Sequence, residues 1–174
     1  MDFKQNYFEI FQMPASYQVD TDSLADRYRE LQLSVHPDKF ADASDQEKRL
    51  AVQWATQVNA AYVTLNEPLK RAIYMLEMSN TNIEHNPTLD PMFLMEQIEL
   101  REALEEIEAS GEAGLAQLDH YKSDVSNVFE GLQRDFEAQI NDSIVEAEQT
   151  VYKMQFVHKL LAEANQLEER LLDY

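Results

Sequence analysis

Apolar side chains recur along the chain at spacings of three and four residues, which is typical of amphipathic α-helices. One stripe begins at Leu24 and ends at Val35, and a second runs from Leu50 or Ala51 to Leu65. The stripes contain Leu24, Tyr28, Leu31 and Val35, and then Trp54, Val58, Ala61, Tyr62 and Leu65. The pattern predicts two long antiparallel helices that pack against each other, with a loop over residues 36–43 between them.

Capping residues predict where these helices begin. Asp20 is an expected N-cap, and Ser44 with Glu47 forms an expected capping box. A later helix is predicted to start at Asp90, with Pro91 in its first position. Each signal provides an acceptor for backbone N–H groups that the first turn of a helix leaves unpaired.

Composition divides the chain into two parts. All five prolines lie in the first 91 residues, and the polar stretch 79–90 is typical of a linker. We therefore predict an all-α protein with a domain over residues 1–78 and a linker over 79–90. The first domain combines the antiparallel helical hairpin with short flanking helices, and residues 91–174 should form a three-helix bundle whose second helix runs from about Glu112 to Ile140.

Charge narrows the range of partners. Residues 1–80 hold 12 acids and 8 bases, whereas residues 81–174 hold 21 acids and 6 bases. Such an acidic surface repels phosphate backbones and anionic lipid, which argues against nucleic acid and membranes as partners. The chain has no cysteine, so disulfides and thiolate metal sites are excluded, and no stretch approaches the ~20 apolar residues that span a bilayer. We expect a soluble, cytosolic protein.

A His-Pro-Asp tripeptide lies in the stretch LSVHPDKF, residues 33–40, at the end of the first long helix. Proline disfavours helix in the residue before it and fixes its own φ, so His36 should leave the helix at a stiff corner. The corner would present His36 and Asp38 as a compact polar recognition site. A Pro-Asp pair after a helix is also an ordinary turn, and the tripeptide alone favours that simpler interpretation.

The surroundings of the tripeptide resemble a J-domain. The resemblance rests on ordered elements: His36-Pro37-Asp38, Ala61-Tyr62 with Leu65, and Lys70-Arg71-Ala72 with Tyr74. It implies that residues 1–78 are a J-domain that contacts a DnaK-type chaperone and stimulates its ATP hydrolysis. The implied contact residues are His36, Pro37 and Asp38, with Arg27 and Lys39 beside them. Many J-domains have more basic residues on the preceding helix, where this chain offers Arg27 and Arg29 on different faces.

The helix predicted from Pro91 has two apolar faces. At about 100° per residue, Leu94, Met95 and Ile98 fall outside the stripe formed by Phe93, Gln97, Leu100, Leu104 and Ile107. In the last helix, Phe156 likewise falls outside the main stripe. These side chains are either covered by another part of the protein or form an exposed patch for a protein partner, and their spacing leaves both open.

The stretch FLMEQIELREALEEIE and the ending LEERLLDY resemble the C-terminal domain of the HscB family, the J-type co-chaperones of iron–sulfur cluster assembly. The resemblance implies that the bundle binds an IscU-type scaffold protein and delivers it to an HscA-type chaperone. The positions that match the family's scaffold-binding surface are Leu94, Met95, Ile98, Glu99, Glu102 and Phe156, with Arg101 a weaker match. A chain that starts at the J-domain and has no cysteine suggests a bacterial cytoplasmic form, and we expect a monomer without a cofactor.

Catalysis by the chain itself is not expected. Its three glycines cannot make a P-loop or a dinucleotide fingerprint, and its four histidines are scattered without HExxH or Glu-x-x-His spacing. No metal site is therefore predicted. Two alternatives to the HscB assignment remain: a helical adaptor in which the tripeptide is incidental, or a J-domain co-chaperone with another client. The J-domain elements, present in the expected order, disfavour a helical adaptor. The charges around Leu94 suit a folded partner better than an unfolded client.

Overall fold

The computed structural model describes residues 1–83 and 87–172, and these residues form only helices, turns and loops. The α-helices are α1 Tyr7–Ile10, α2 Thr21–Ser34, α3 Asp45–Asn66, α4 Pro68–Met78, α5 Pro91–Ala109, α6 Leu115–Gln139 and α7 Ile144–Leu172. Single turns of 3₁₀ helix occupy Pro37–Phe40 and Gly111–Gly114. The prediction of an all-α protein is confirmed.

The chain divides into two compact units, Met1–Tyr74 and Met75–Tyr174. The boundary falls inside α4, a few residues before the predicted domain end at residue 78, and the predicted bounds stay predictions. Within the predicted linker, Leu89 is buried in the core of the second unit and Ile83 packs against that core. Residues 84–86 of the linker lie outside the described residues.

The first unit is built on the α2–α3 hairpin. Both helices begin as predicted, because the Asp20 carboxylate accepts from backbone N–H groups and Ser44 with Glu47 forms a capping box. The inner stripe of α3 is buried at Ala51, Trp54, Val58, Ala61 and Leu65, whereas Tyr62 is half-buried. The rings of Tyr28 and Tyr62 stack at the surface of the hairpin, with centroids 4.1 Å apart. This packing fixes the end of α2, from which the tripeptide projects.

Helix α4 contacts the N-terminal segment of the first unit through two polar side chains. The buried Arg71 guanidinium donates to the Tyr17 carbonyl at 2.6 Å and lies over the Tyr17 ring. Burial lowers the pKa of Arg71. The Tyr74 hydroxyl accepts from the Tyr7 N–H at 3.0 Å. The Lys/Arg-Ala-x-Tyr segment therefore stabilises the unit by packing rather than by offering an exposed site.

The second unit is the predicted three-helix bundle. Helix α5 begins at the Asp90 cap with Pro91 in its first turn, as predicted. The sequence predicted that α6 begins near Glu112, but a 3₁₀ turn holds Gly111–Gly114 and α6 begins at Leu115. Gly111 adopts a positive φ of 57° just after α5, and a Cβ on Gly114 would lie 2.6 Å from the Ile107 carbonyl. The two glycines therefore permit a close turn that aligns α6 with α5.

Candidate functional site

The tripeptide forms a rigid corner between α2 and the next 3₁₀ turn. Helix α2 ends at Ser34, and Val35 caps it with its N–H bonded to the Gln32 carbonyl. His36 then has an extended backbone, with φ −59° and ψ 137°, as the proline after it requires. Pro37 occupies the first position of the 3₁₀ turn, where its missing N–H costs no hydrogen bond. We call His36–Asp38 the HPD tip.

Two side chains of the HPD tip, those of His36 and Asp38, face water. His36 is 56% exposed and Asp38 is 91% exposed. The Asp38 N–H donates to His36 Nδ1 at 3.3 Å, and the same nitrogen lies 3.5 Å from the Asp38 carboxylate. Since Nδ1 accepts a hydrogen bond, the proton of neutral His36 belongs on Nε2. The tip thus offers a donor from the ring and a carboxylate acceptor, both anchored to a stiff backbone.

The basic residues near the tip differ in their surroundings. Arg27 donates to the carbonyls of Phe11 and Gln12, the second at 2.9 Å, and so holds a backbone loop in which Gln12 has a positive φ. Arg29 is exposed and pairs with Asp26 at 2.8 Å. Lys39 is exposed beside the tip. Arg27 therefore has a structural role, in addition to the chaperone contact that its position predicts.

Sequence reasoning missed an apolar groove beside the tip. Leu33 is 63% exposed at the end of α2, and it lines the groove with Val35 and His36 from the same end of the hairpin. Val58 and Ala55 of α3 form the opposite wall. The signal in the sequence was the isolated Leu33 in the last turn of α2, outside the buried stripe. The groove places apolar surface directly next to a polar tip.

The second candidate surface lies on the bundle. Leu94, Met95, Ile98 and Phe156 are all exposed, at 39%, 63%, 57% and 41%. We call these four side chains the bundle patch. Within the second unit, the other described helices therefore leave these four side chains uncovered. The Phe156 ring meets the buried Phe93 edge-on, with centroids 6.2 Å apart, so that α7 holds it beside α5.

Only part of the predicted scaffold-binding set lines a common cleft. Leu94, Ile98 and Phe156 form its apolar walls, together with Leu160. Gln97 and Arg101 also line it. Met95, Glu99 and Glu102 are exposed on α5 but do not line this cleft. The cleft thus joins two helices whose contributing residues lie more than fifty positions apart in the chain.

Arg101 joins this cleft to a charged one further along α5 and α7. Its guanidinium lies 3.5 Å from the Glu163 carboxylate. Burial, followed by the charge of Glu163, raises the pKa of the Tyr121 phenol. Arg170 pairs with Glu108 at 2.7 Å in the same charged cleft. These pairs give the bundle surface both signs of charge beside its apolar patch.

The described part of the chain, residues 1–83 and 87–172, also bears on metal ions and membranes. No group of three or more His, Asp or Glu side chains there is arranged to hold a metal ion. None of the helices in that part is both long enough and apolar enough to span a membrane.

Comparisons with known proteins agree with this architecture. The chain matches the sequence model of the DnaJ domain over residues 6–74 and that of the HSCB C-terminal oligomerisation domain over residues 89–165. An all-α protein with a J-domain, an exposed HPD tip and this C-terminal domain belongs to the J-domain co-chaperones.

Full-length relatives define the family further. The "Co-chaperone protein HscB homolog" of Shewanella pealeana is 41% identical over 173 residues, which cover 97% of this chain and 99% of that protein. The structure of "Chaperone HscB from Vibrio cholerae" matches with a TM-score of 0.85 at 39% identity, over 96% of this chain and 99% of that one. The crystal structure of human co-chaperone protein HscB matches with a TM-score of 0.86 at 30% identity, over 95% of this chain and 83% of that one. The chain belongs to the HscB family of co-chaperones.

Proposed function

We propose that the HPD tip and the bundle patch carry the two binding activities of this HscB-family co-chaperone. As a family member, the protein stimulates the ATPase of an HscA-type chaperone and delivers an IscU-type scaffold to it in iron–sulfur cluster assembly. The observation that carries the assignment of surfaces is their exposure: a fixed polar corner on one unit and four exposed apolar side chains on the other.

The HPD tip binds the chaperone in this proposal. His36 offers a ring N–H and Asp38 a carboxylate, and both positions are fixed by Pro37, so little conformational entropy is lost on binding. Lys39 adds positive charge beside the tip, which helps to orient a chaperone surface of opposite sign, whereas the charge of Arg29 is balanced by Asp26. The apolar groove at Leu33 supplies contact area. Arg27 contributes mainly by holding the loop at Gln12.

The bundle patch binds the scaffold protein. Its apolar side chains are surrounded by Glu99, Glu102 and Arg101, the arrangement of an apolar centre with a charged rim that protein interfaces use. The apolar centre supplies affinity by leaving water, and the rim orients the partner. Because the patch includes residues from α5 and α7, the folded bundle presents it as one surface.

The chain itself carries out no catalytic step in this proposal, because the hydrolysis belongs to the chaperone. We also place the protein in the bacterial cytoplasm, in keeping with its bacterial relatives. The expected monomer stays a prediction, and the description of the matched C-terminal family as an oligomerisation domain makes self-association worth measuring.

Steady-state ATP hydrolysis by an HscA-type chaperone tests the proposal. The full chain and an IscU-type scaffold are added singly and together. We expect the chain alone to stimulate hydrolysis and the two together to stimulate it more than the sum of their separate effects. Stimulation without any effect of the scaffold would favour a different client, and no stimulation would favour a helical adaptor.

A further inference from the structure

The cleft between α5 and α7 contains a polar group that the patch alone does not explain. Gln97 lines the cleft, and its side chain is buried, with only 8% of the residue exposed. Its side-chain oxygen has no hydrogen-bond partner among the residues that the structure describes. Gln97 belongs to the apolar stripe that residue spacing predicts for α5, where a glutamine is unexpected.

An unpaired amide oxygen in this position is costly. A buried acceptor without a donor has lost its bonds to water and gained nothing in exchange, a cost of about 1–3 kcal/mol. A methionine or leucine at position 97 would avoid that cost and would still pack against the apolar neighbours. In the described conformation, the glutamine therefore stabilises the free bundle less than an apolar side chain of similar volume would, at the place where the candidate binding surface opens.

We propose that the side-chain amide of Gln97 is the polar anchor of the scaffold site. The terminal torsion of glutamine is soft, so the amide can turn its oxygen into the cleft without moving the helix. There it accepts a hydrogen bond from a backbone or side-chain N–H of the bound scaffold protein. This inference rests on the proposed function of the bundle patch and adds a residue that the resemblance did not supply.

The cleft also indicates the chemistry of what enters it. Its walls are the apolar side chains of Leu94, Ile98, Phe156 and Leu160, and among the described residues its only charged lining residue is Arg101. An apolar side chain of the scaffold fits between these walls, and the adjacent backbone N–H reaches Gln97. The cleft is continuous with the exposed bundle patch, so one segment of a folded partner covers both. Binding therefore satisfies an acceptor that is unpaired in the free protein.

The variant Gln97→Met tests this inference, because it keeps the volume of the side chain and removes both polar atoms. Scaffold affinity should fall about five- to hundredfold, since the donor of the partner is then buried without an acceptor. The melting temperature of the free variant should stay the same or rise. Gln117→Met makes the same change at an exposed position of α6 and should alter neither quantity.

A spectroscopic measurement separates contact from indirect effects. We expect the side-chain amide NMR signal of Gln97, assigned by its loss in Gln97→Met, to shift when unlabelled scaffold is added. Unchanged affinity of Gln97→Met would overturn the inference. So would a lower affinity that accompanies a lower melting temperature, because Gln97 would then act through the fold alone.

Two controls keep this result distinct from the proposed function. If Leu94→Ala, Met95→Ala and Phe156→Ala together leave scaffold binding unchanged, the bundle patch itself is wrong. If that triple variant binds weakly and Gln97→Met binds normally, only the role of Gln97 is overturned. Sedimentation of the free protein tests a second copy as the occupant: a dimer that Gln97→Met dissociates would overturn the assignment to the scaffold.

Discussion

The two units present their candidate binding residues in different ways. In the first unit, the HPD tip is a run of three consecutive residues at a corner that a proline holds in place. In the second unit, the bundle patch combines neighbours on α5 with Phe156 from α7. The corner depends on local backbone geometry, whereas the patch exists only when two helices have packed. Binding at the corner should therefore depend sharply on single residues, and binding at the patch should be spread over several.

The units also differ in the hydrogen bonding of one buried polar side chain in each. In the first, the Arg71 guanidinium donates to a backbone carbonyl at 2.6 Å and lies over an aromatic ring. In the second, the Gln97 oxygen lacks any such partner within the described part of the protein. Arg71 thus stabilises the unit in which it lies, whereas Gln97 is left for a partner. Arg71 Nε and the Tyr121 hydroxyl also lack a hydrogen-bond partner among the described residues, so it is the position of Gln97 in the cleft, together with its unpaired oxygen, that indicates a partner.

The largest expected effect is at the HPD tip. The variant His36→Gln should reduce stimulation of the chaperone ATPase by at least about tenfold, as expected for a residue at the centre of an interface. The fold and scaffold affinity should not change, because the side chain is more than half exposed and its recorded contacts are with Asp38. Steady-state ATPase and scaffold titration measure the two effects.

The matched control is His120→Gln, which replaces an exposed histidine on α6. It should stimulate hydrolysis normally. Normal stimulation by His36→Gln would contradict the assignment of the tip.

A graded effect is expected at the bundle patch. Replacing Leu94, Met95 and Phe156 by alanine should weaken scaffold binding about ten- to hundredfold, because apolar area that leaves water in the complex is lost. Stimulation by the chain alone should remain. Isothermal titration of the scaffold gives the affinity, and each single variant should account for only part of the loss.

The control for this experiment removes equally exposed apolar side chains elsewhere. Val128, Val145 and Leu172 are exposed on α6 and α7. Their combined replacement by alanine should leave scaffold affinity unchanged. Equal losses in the two triple variants would indicate a general effect of surface hydrophobicity.

A smaller effect is expected for Arg27 and Arg29. It distinguishes a residue that stabilises the first unit from one that contacts the chaperone. Arg27→Met leaves the carbonyls of Phe11 and Gln12 without their donor, so the free energy of unfolding of the first unit should fall by about 1–3 kcal/mol. Arg29→Met removes the exposed ion pair with Asp26 and an exposed hydrogen bond to the Ala25 carbonyl, and it should change the free energy of unfolding by less than about 0.5 kcal/mol. The fluorescence of Trp54, the single tryptophan, reports urea unfolding of this unit.

An unchanged unfolding curve for Arg27→Met, together with weaker stimulation, would show instead that Arg27 contacts the chaperone directly. Loss of stability with normal stimulation of the folded fraction would leave Arg27 a purely structural residue.

The smallest expected effect is a loss of stability of the first unit at low pH. Hydrogen bonds from Ser23 lower the pKa of Asp20, and hydrogen bonds from Ser44 lower the pKa of Glu47. A lowered folded-state pKa gives stability that is complete above the unfolded-state value and is lost as the pH falls through the folded-state value. The first unit should therefore lose stability below about pH 4. In Ser44→Ala, Trp54 fluorescence should show a smaller acid-dependent loss, and an identical pH profile would contradict this cause.

Much of the fold followed from the sequence, because its determinants are local. The caps at Asp20, Ser44 and Asp90 act within one helical turn, and the extended backbone at His36 follows from the next residue being proline. The predicted start of α6 at about Glu112 lies one turn before its start at Leu115. The reason is that the positive φ of Gly111 and the close approach at Gly114 depend on how α5 ends. Helix periodicity does not contain that information.

The sequence by itself determined the helices, the capped ends, the stiff HPD corner and the family, since each depends on residues close together or on their order. The tertiary structure alone decided which side chains water reaches. It left Leu94, Met95, Ile98 and Phe156 exposed, engaged Arg27 with a distant loop, and buried the Gln97 oxygen with no partner among the residues that the structure describes. The physical reason is that exposure and hydrogen-bond satisfaction are set by neighbours from other helices, and the spacing of residues along one helix cannot specify those neighbours.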